Sequence, residues 1–437
     1  MPRLIPARAL RTSAVLIFCC GLLLATAHAQ TFSVLHNFTG GVDGSNPFAG
    51  LTLDVSGHLY GTSGAGGPGN CSYDGLVGCG TAFKLTHLTG GWTFSPLYSF
   101  RGGSDGEFSS RPMTIGPNGS LYGTTLGGGE GTCTFDGATG CGILFNLTPS
   151  PTFPRTPLQP WLEKIIYRFS GAGDGGIPFS SPLFDHAGNM YGTTAIGGAN
   201  NLGTVFKFSP AGGGNWTGSV LYSFAGGSDG QNPSDGLTAD NAGNFYGTTE
   251  QGGGSAACTN GCGVVFELSP SGSGWTEKIL YSFQGANDGM YPNSGVVMDA
   301  MGNLYGNTWE GGSGGGGTVY KLTPSGGGNY SFSVIYSVPV AGFAVGRVAL
   351  DSAGNVYEAL QNGGSFNDGQ VFKLTLSNGN YIYTDLHDFT GGSDGSNAIG
   401  GVMLDSSGNL YGTTLFGGAN TCNAGAYTCG VVYEIMP

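Results

Sequence analysis

Gly243-Asn244-Phe245-Tyr246-Gly247-Thr248-Thr249 is one of seven variants of a single phrase, centred on Tyr60, Tyr122, Tyr191, Tyr246, Tyr305, Tyr357 and Tyr411. Successive centres lie 62, 69, 55, 59, 52 and 54 residues apart. A period of this size marks supersecondary units that stack or sit radially. Around Tyr246 four short apolar or alternating runs, 220–224, 236–239, 245–248 and 264–268, are separated by Gly-rich punctuation. Short runs bounded by turn residues read as strands. Seven units of four strands predict an all-β, seven-bladed β-propeller of four-stranded antiparallel blades.

The strand order follows from the phrase. Gly236-Leu-Thr-Ala-Asp240 followed by Gly243-Asn-Phe-Tyr246 resembles the inner hairpin of NHL-type propellers. The run before the turn is then inner strand A and Tyr-Gly-Thr-Thr is strand B. Val-Phe-Lys-Leu is C, and Leu-Tyr-Ser-Phe is outermost strand D. The mature chain opens with a D strand at 33–38 and closes with a C strand at 430–435, so the N-terminal strand is expected to join the last blade and close the ring. Closure removes the exposed edge that an open circle of sheets would leave. The repeats fall at about 33–86, 96–149, 164–210, 219–270, 278–324, 333–375 and 384–437. They fill a single domain, 30–437, with no room for an appended one.

Residues 1–29 stand apart. Arg3, Arg8 and Arg11 precede the apolar run 14–27, and Ala27-His28-Ala29 offers small residues for cleavage before Gln30. This is the pattern of a signal peptide. About 14 apolar residues fall short of the roughly 20 that span a bilayer. The expected product is secreted, periplasmic or extracellular, with no membrane insertion after cleavage. The chain has 14 Lys and Arg against 27 Asp and Glu; losing three arginines with the leader makes the net charge −16. Such a surface disfavours nucleic acid and anionic lipid as partners. The 87 glycines suggest disorder until the 26 Phe, 20 Tyr and 5 Trp are counted, because disordered chains are poor in aromatics and rich in charge.

The words Gly-Gly-Ser-Asp-Gly, Gly-Asn-Leu-Tyr-Gly-Thr-Thr and Gly-Val-Val-Phe-Glu-Leu-Ser-Pro recur in fixed order from Ser33 onward. This resembles the GloVer tandem-repeat family of secreted bacterial proteins. The resemblance implies an exported, repeat-built protein and carries no catalytic residues to transfer. Members often end in a surface-sorting segment, and this chain stops at its last strand.

In such blades the D-to-A and B-to-C loops share one face. The D-to-A loops carry Asp43, Asp105, Asp174, Asp229, Asp288 and Asp394, each followed by Gly. A ring of six carboxylates would suit calcium, the one cofactor the sequence brings into question. The alternative is that each Asp caps its own turn, which once-per-blade repetition favours. A second series, Asp54, Asp185, Asp240, Asp299, Asp351 and Asp405, precedes the A-to-B turn and reads as turn structure. The B-to-C loops hold eight cysteines in local pairs, Cys71/Cys79, Cys133/Cys141, Cys258/Cys262 and Cys422/Cys429. Repeat logic and export predict four disulfides. Zinc would need further ligands nearby, and no His lies in these loops.

His36 and His387 stand where other repeats place Tyr98, Tyr167, Tyr222, Tyr281 and Tyr336, and read as packing substitutes. No nucleophile elbow, metal-binding His pair or phosphate-cradling loop occurs. Lys84, Lys207, Lys321 and Lys373 alternate with Asn146, Glu267 and Glu434 at one strand C position, which reads as an exposed face. The Pro-rich segment 149–160 reads as a rigid surface loop. The sixth repeat is degenerate, and a site exploiting broken symmetry is expected around Phe343, Arg347 and Glu358.

The first functional reading is a non-catalytic propeller that binds a glycan or protein ligand through the face bearing the Asp-Gly and disulfide loops. The second is a hydrolase or lyase, calcium-dependent in one version, acting on a sugar lactone or polysaccharide. A structural envelope component is the third.

Overall fold

The computed structural model describes residues 30–436, apart from 74, 136, 152–160, 340–341, 423–424 and 426. The expected leader, 1–29, and most of the Pro-rich segment lie outside the described residues. The chain forms seven antiparallel four-stranded blades arranged as a β-propeller. In blade 1 the strands are A (Thr52–Leu53), B (Leu59–Ser63), C (Thr81–Leu88) and D (Gly91–Ser99), hydrogen-bonded in that order. Blade and repeat are therefore offset by one strand. In blade 7 the N-terminal strand Thr31–Asn37 pairs antiparallel with Val431–Met436, which closes the ring.

Several strand boundaries move. The N-terminal strand begins at Thr31 rather than Ser33 because Thr31 pairs with Met436 and Phe32 with Ile435. In blade 4, strand A is only Thr238–Ala239, and Gly236 belongs instead to the close-packed segment nearest the axis. A further short strand, Gly230–Pro233, pairs with the extended B strand Phe245–Gly252.

Strand B is buried along its whole length in blade 1, as are its counterparts Leu121–Thr125, Met190–Thr194 and Leu410–Thr414. Neighbouring blades cover both faces of each, and within the blade the aromatic ring opposite on strand C explains the Gly. A Cβ at Gly192 would lie 2.5 Å from Phe206 Cζ, so the missing side chain is the space that ring fills. Burial also explains the Thr. The first hydroxyl of each pair reaches the next blade: Thr124 donates to Pro178 O, Thr193 to Asp235 O, Thr248 to Ser294 O and, across the closure, Thr413 to Ala49 O, all at 2.8–3.0 Å. These bonds latch blade to blade at otherwise unpaired buried carbonyls. Ala359 and Leu360 hold the two Thr positions in blade 6 and lack the hydroxyl.

The strand C column is half-buried or buried, not exposed as its sign changes suggested. Each Lys lies opposite the strand B tyrosine, and the ammoniums of Lys84, Lys207, Lys321 and Lys373 sit 5.1–5.6 Å from the ring centroids. Asn146 instead donates to Leu121 O, and Glu434 accepts from Tyr411. A long stem over an aromatic face satisfies burial and charge together.

Candidate binding site at the propeller mouth

Both aspartate series are turn caps. In the D-to-A loops the carboxylate accepts the backbone N–H four residues earlier, from Thr39, Arg101, Ser170, Ala225, Gln284 and Thr390, at 2.7–3.0 Å. It also accepts from the strand D side chain seven residues earlier: Tyr98, Tyr167, Tyr222 and Tyr281 at 2.5–3.1 Å. His36 and His387 take that place at 3.1 and 3.3 Å. Asp43, Asp105, Asp174, Asp229, Asp288 and Asp394 are thus held apart at the outer strands and none lines the mouth. The second series behaves alike: Asp240 accepts from Ala242 N, Asn244 N and Tyr246 Oη, and similar bonds recur at Asp185, Asp299 and Asp351.

The four expected disulfides are formed, and they brace the next blade. The carbonyls of Cys79, Cys141, Cys262 and Cys429 accept the N–H of Phe108, Ile177, Tyr291 and Asn46 at 2.8–3.2 Å. Those four residues have φ of 54–62°. That conformation is costly for Phe, Tyr and above all β-branched Ile. Hydrogen bonds on both sides hold it: Ile177 also accepts from Ala195 N at 3.0 Å. The strained residue turns each D-to-A loop inward over the mouth.

The result is a cavity of about 660 Å³ on the face shared by the D-to-A and B-to-C loops. One side is aromatic. Tyr73 lies against Phe48 and Phe135 at centroid distances of 5.9 and 6.2 Å, and Phe135 packs edge-on against Phe179 at 5.2 Å. The other side carries Trp309, Glu250, Gln251, Gln361 and Asn232. Burial pushes the Glu250 carboxyl up. Trp309 Nε1 is buried without a hydrogen-bond partner.

Below the mouth a narrower chamber of about 250 Å³ follows the axis and shares Phe48, Arg111, Asn293, Val345 and Ile399 with it. Five and four residues ahead of the A-to-B turn, the repeats place Gly, Ala, Ser or Pro except at Arg111, Asp235 and Arg347. Arg111 Nε is 3.6 Å and Arg347 Nε 3.3 Å from the Asp235 carboxylate. Arg111 also stacks 5.0 Å from the Phe179 centroid. Its side chain is enclosed by protein yet keeps 22% of its area open to the channel. Burial pushes the Arg111 guanidinium down, with Asp235 opposing and Arg347 adding to the shift. Burial would raise the Asp235 carboxyl, but Arg347 and Arg111 hold it below the ordinary range. Two guanidiniums and one carboxylate are not the set of oxygen ligands calcium takes.

Of the sixth-repeat residues, Arg347 lines the channel. Phe343 packs near Trp309 at 5.9 Å and accepts Gln361 N–H at 2.8 Å. Glu358 is fully buried beside the channel wall, accepting from Asn307 Nδ2 at 2.7 Å. Burial pushes its carboxyl up to about 8. Arg111 and Asp235 were missed. The available signal was a charged residue in a column of small ones, which stands out only once the repeats are aligned on the turn.

Fold and cavity together define a repeat-built propeller with an aromatic mouth and a charged axial floor. Residues 130–344, just under half of the chain, match the model of the Gloeobacter/Verrucomicrobia repeat, which supports placing these repeats in that family. No curated protein matches the sequence. Among solved structures, it resembles the extracellular domain of a protein described as a one-component system of B. thetaiotaomicron, at TM-score 0.50 and 12% identity, over 93% of this chain and 41% of that one. It also resembles an ulvan lyase from a new polysaccharide lyase family, solved with -[GlcA(1-4)Rha3S]- bound. That match has TM-score 0.51 and 11% identity, over 88% of this chain and 93% of the lyase. A further ulvan lyase structure gives TM-score 0.52 at 10% identity, with the same coverage. At these identities the likeness concerns the fold.

Proposed function

We propose that the protein is an exported glycan-binding propeller whose ligand occupies the mouth. The observation that carries this reading is the aromatic wall of Phe48, Tyr73, Phe135 and Phe179 facing amides and charged groups across one cavity. Aromatic faces cover the apolar faces of sugar rings, while fixed amides and guanidiniums read hydroxyls. Four disulfides suit an oxidising compartment and hold the loops that build the wall. The propeller resembling a lyase with a saccharide bound is in keeping with this assignment.

The test is a glycan array followed by calorimetry on the strongest binder. Phe48→Ala and Phe179→Ala are each expected to weaken binding about three- to tenfold. Binding that survives deletion of all four cysteine loops refutes the assignment. The enzyme reading rests on Glu358, whose raised pKa suits general acid-base work near neutrality. It ranks second because the carboxyl is sealed from the cavity. Cleavage of a polysaccharide panel by the protein but not by Glu358→Gln would reverse the order.

A further inference from the structure

The axial triad leaves a positive charge uncompensated. Asp235 is its single carboxylate, and both oxygens are already engaged: Oδ1 accepts Gly236 N–H at 2.7 Å and Oδ2 accepts Gly295 N–H at 2.8 Å. Arg111 donates from Nη2 to Ser234 O at 2.7 Å and Asn293 O at 3.5 Å and from Nη1 to Ser110 O at 3.4 Å, whereas Arg347 donates only from Nη2, to Gly236 O at 2.9 Å. Around them Asn293 Oδ1 and Ser110 Oγ are buried without hydrogen-bond partners, and Arg111 Nε and Arg347 Nε, ion-paired with Asp235 at 3.6 and 3.3 Å, make no hydrogen bond either. Unpartnered buried polar groups cost stability. The ring does not need them, since small uncharged residues serve the same positions in the other blades. Here they line a chamber that opens into the mouth. The net charge of the whole chain is −13, so this local positive site runs against the rest of the molecule.

We propose that Arg111 and Arg347 bind an oxyanion, the carboxylate or sulfate ester of an acidic saccharide whose rings lie against the mouth aromatics. The inference deepens the glycan-binding reading and rests on it. A guanidinium presents parallel donors that match two oxygens of a carboxylate or sulfate. An uncharged sugar would leave the two arginines facing one another with Asp235 alone between them. An anion relieves that repulsion and engages donors that are otherwise idle. Glu250 is the one other acid among the described residues lining the mouth, and the ligand's charge is expected to lie below it.

The experiment compares tetragalacturonate with its methyl ester, and a sulfated oligosaccharide with its desulfated form, by calorimetry on the intact, disulfide-bonded protein. A charged hydrogen bond to the arginines predicts tighter binding of one charged form by about tenfold or more; which pair shows it separates carboxylate from sulfate. Arg347→Gln should bring that pair within about twofold of equality. Asp235→Asn, which removes the internal counter-charge, should tighten the charged form, and it serves if Arg347→Gln does not fold. Equal binding of the charged and neutral forms in both pairs overturns the anion floor and leaves the glycan reading standing. The anion floor stands and the glycan reading falls if no saccharide binds but sodium acetate or sulfate raises the melting temperature over chloride at equal ionic strength, with no such rise in Arg347→Gln. Absence of both effects overturns both.

Discussion

Replacing Asp288 by alanine separates the two readings of the aspartate ring. One carboxylate oxygen, Oδ2, accepts Gln284 N–H and Tyr281 Oη, each at 2.8 Å. Hydrogen bonds to a charged partner contribute about 1.5–3 kcal/mol each, and water compensates part of that loss at an exposed loop. The expected cost is therefore about 2–3 kcal/mol. With about 2.1 cal/mol/K of unfolding entropy per residue, roughly 400 residues give about 0.8 kcal/mol/K, so the melting temperature should fall by about 3 °C. Asp288→Asn, which keeps one acceptor, should lose less. Calorimetry measures the shift, and hydrogen exchange should show faster exchange at the Gln284 amide in the alanine variant. In a turn cap, adding calcium changes neither protein. The reasoning fails if Asp288→Ala melts with the wild type while abolishing a calcium-induced rise in melting temperature.

Thr193→Val keeps shape but strands the buried Asp235 carbonyl, 2.8 Å from the lost hydroxyl; denaturant unfolding should register a loss of about 1–3 kcal/mol. Gly192→Ala sets a Cβ against Phe206 Cζ at 2.5 Å and Ser180 Oγ at 2.6 Å, and overpacking of this kind should cost about 1–3 kcal/mol, whereas a change at Gly188, with nothing within 4 Å but φ of 80°, is opposed by backbone strain alone. Glu163 and Glu277 are each pushed up to about 8 by burial, reinforced by the charges of Asp105 and Asp229 respectively. An acid with a raised folded pKa binds more protons folded than unfolded between the two values, so stability should fall as pH rises from about 4.5 to 8. Double substitution to Gln should flatten that slope in melting temperature against pH, and an unchanged slope would show that these carboxyls are hydrated and ordinary.

Much of the fold was legible because each blade repeats the same local problem. The Tyr-Gly-Thr-Thr word, its turn aspartate and its spacing determined the strand order, and the offset between first and last strands determined how the ring closes. Paired cysteines within single loops determined the disulfides. These features depend on neighbours in sequence. The strand C column was misread because sign changes say nothing about what lies opposite, and only pairing placed the Lys stems over tyrosines. Glycine likewise divides in two: Gly188 meets a turn requirement that sequence shows, whereas Gly192 is small because Phe206 needs its space.

The site was less legible for the same reason. Arg347 could be singled out because its repeat is decayed, but Arg111 and Asp235 sit 124 residues apart in otherwise regular repeats. The sequence alone determined seven blades and the face on which variable, disulfide-bonded loops gather. Only the closed ring brought three charges from blades 2, 4 and 6 to one axis and turned scattered aromatics into a wall, because the contacts that define them run between blades and every blade but its neighbour is distant along the chain.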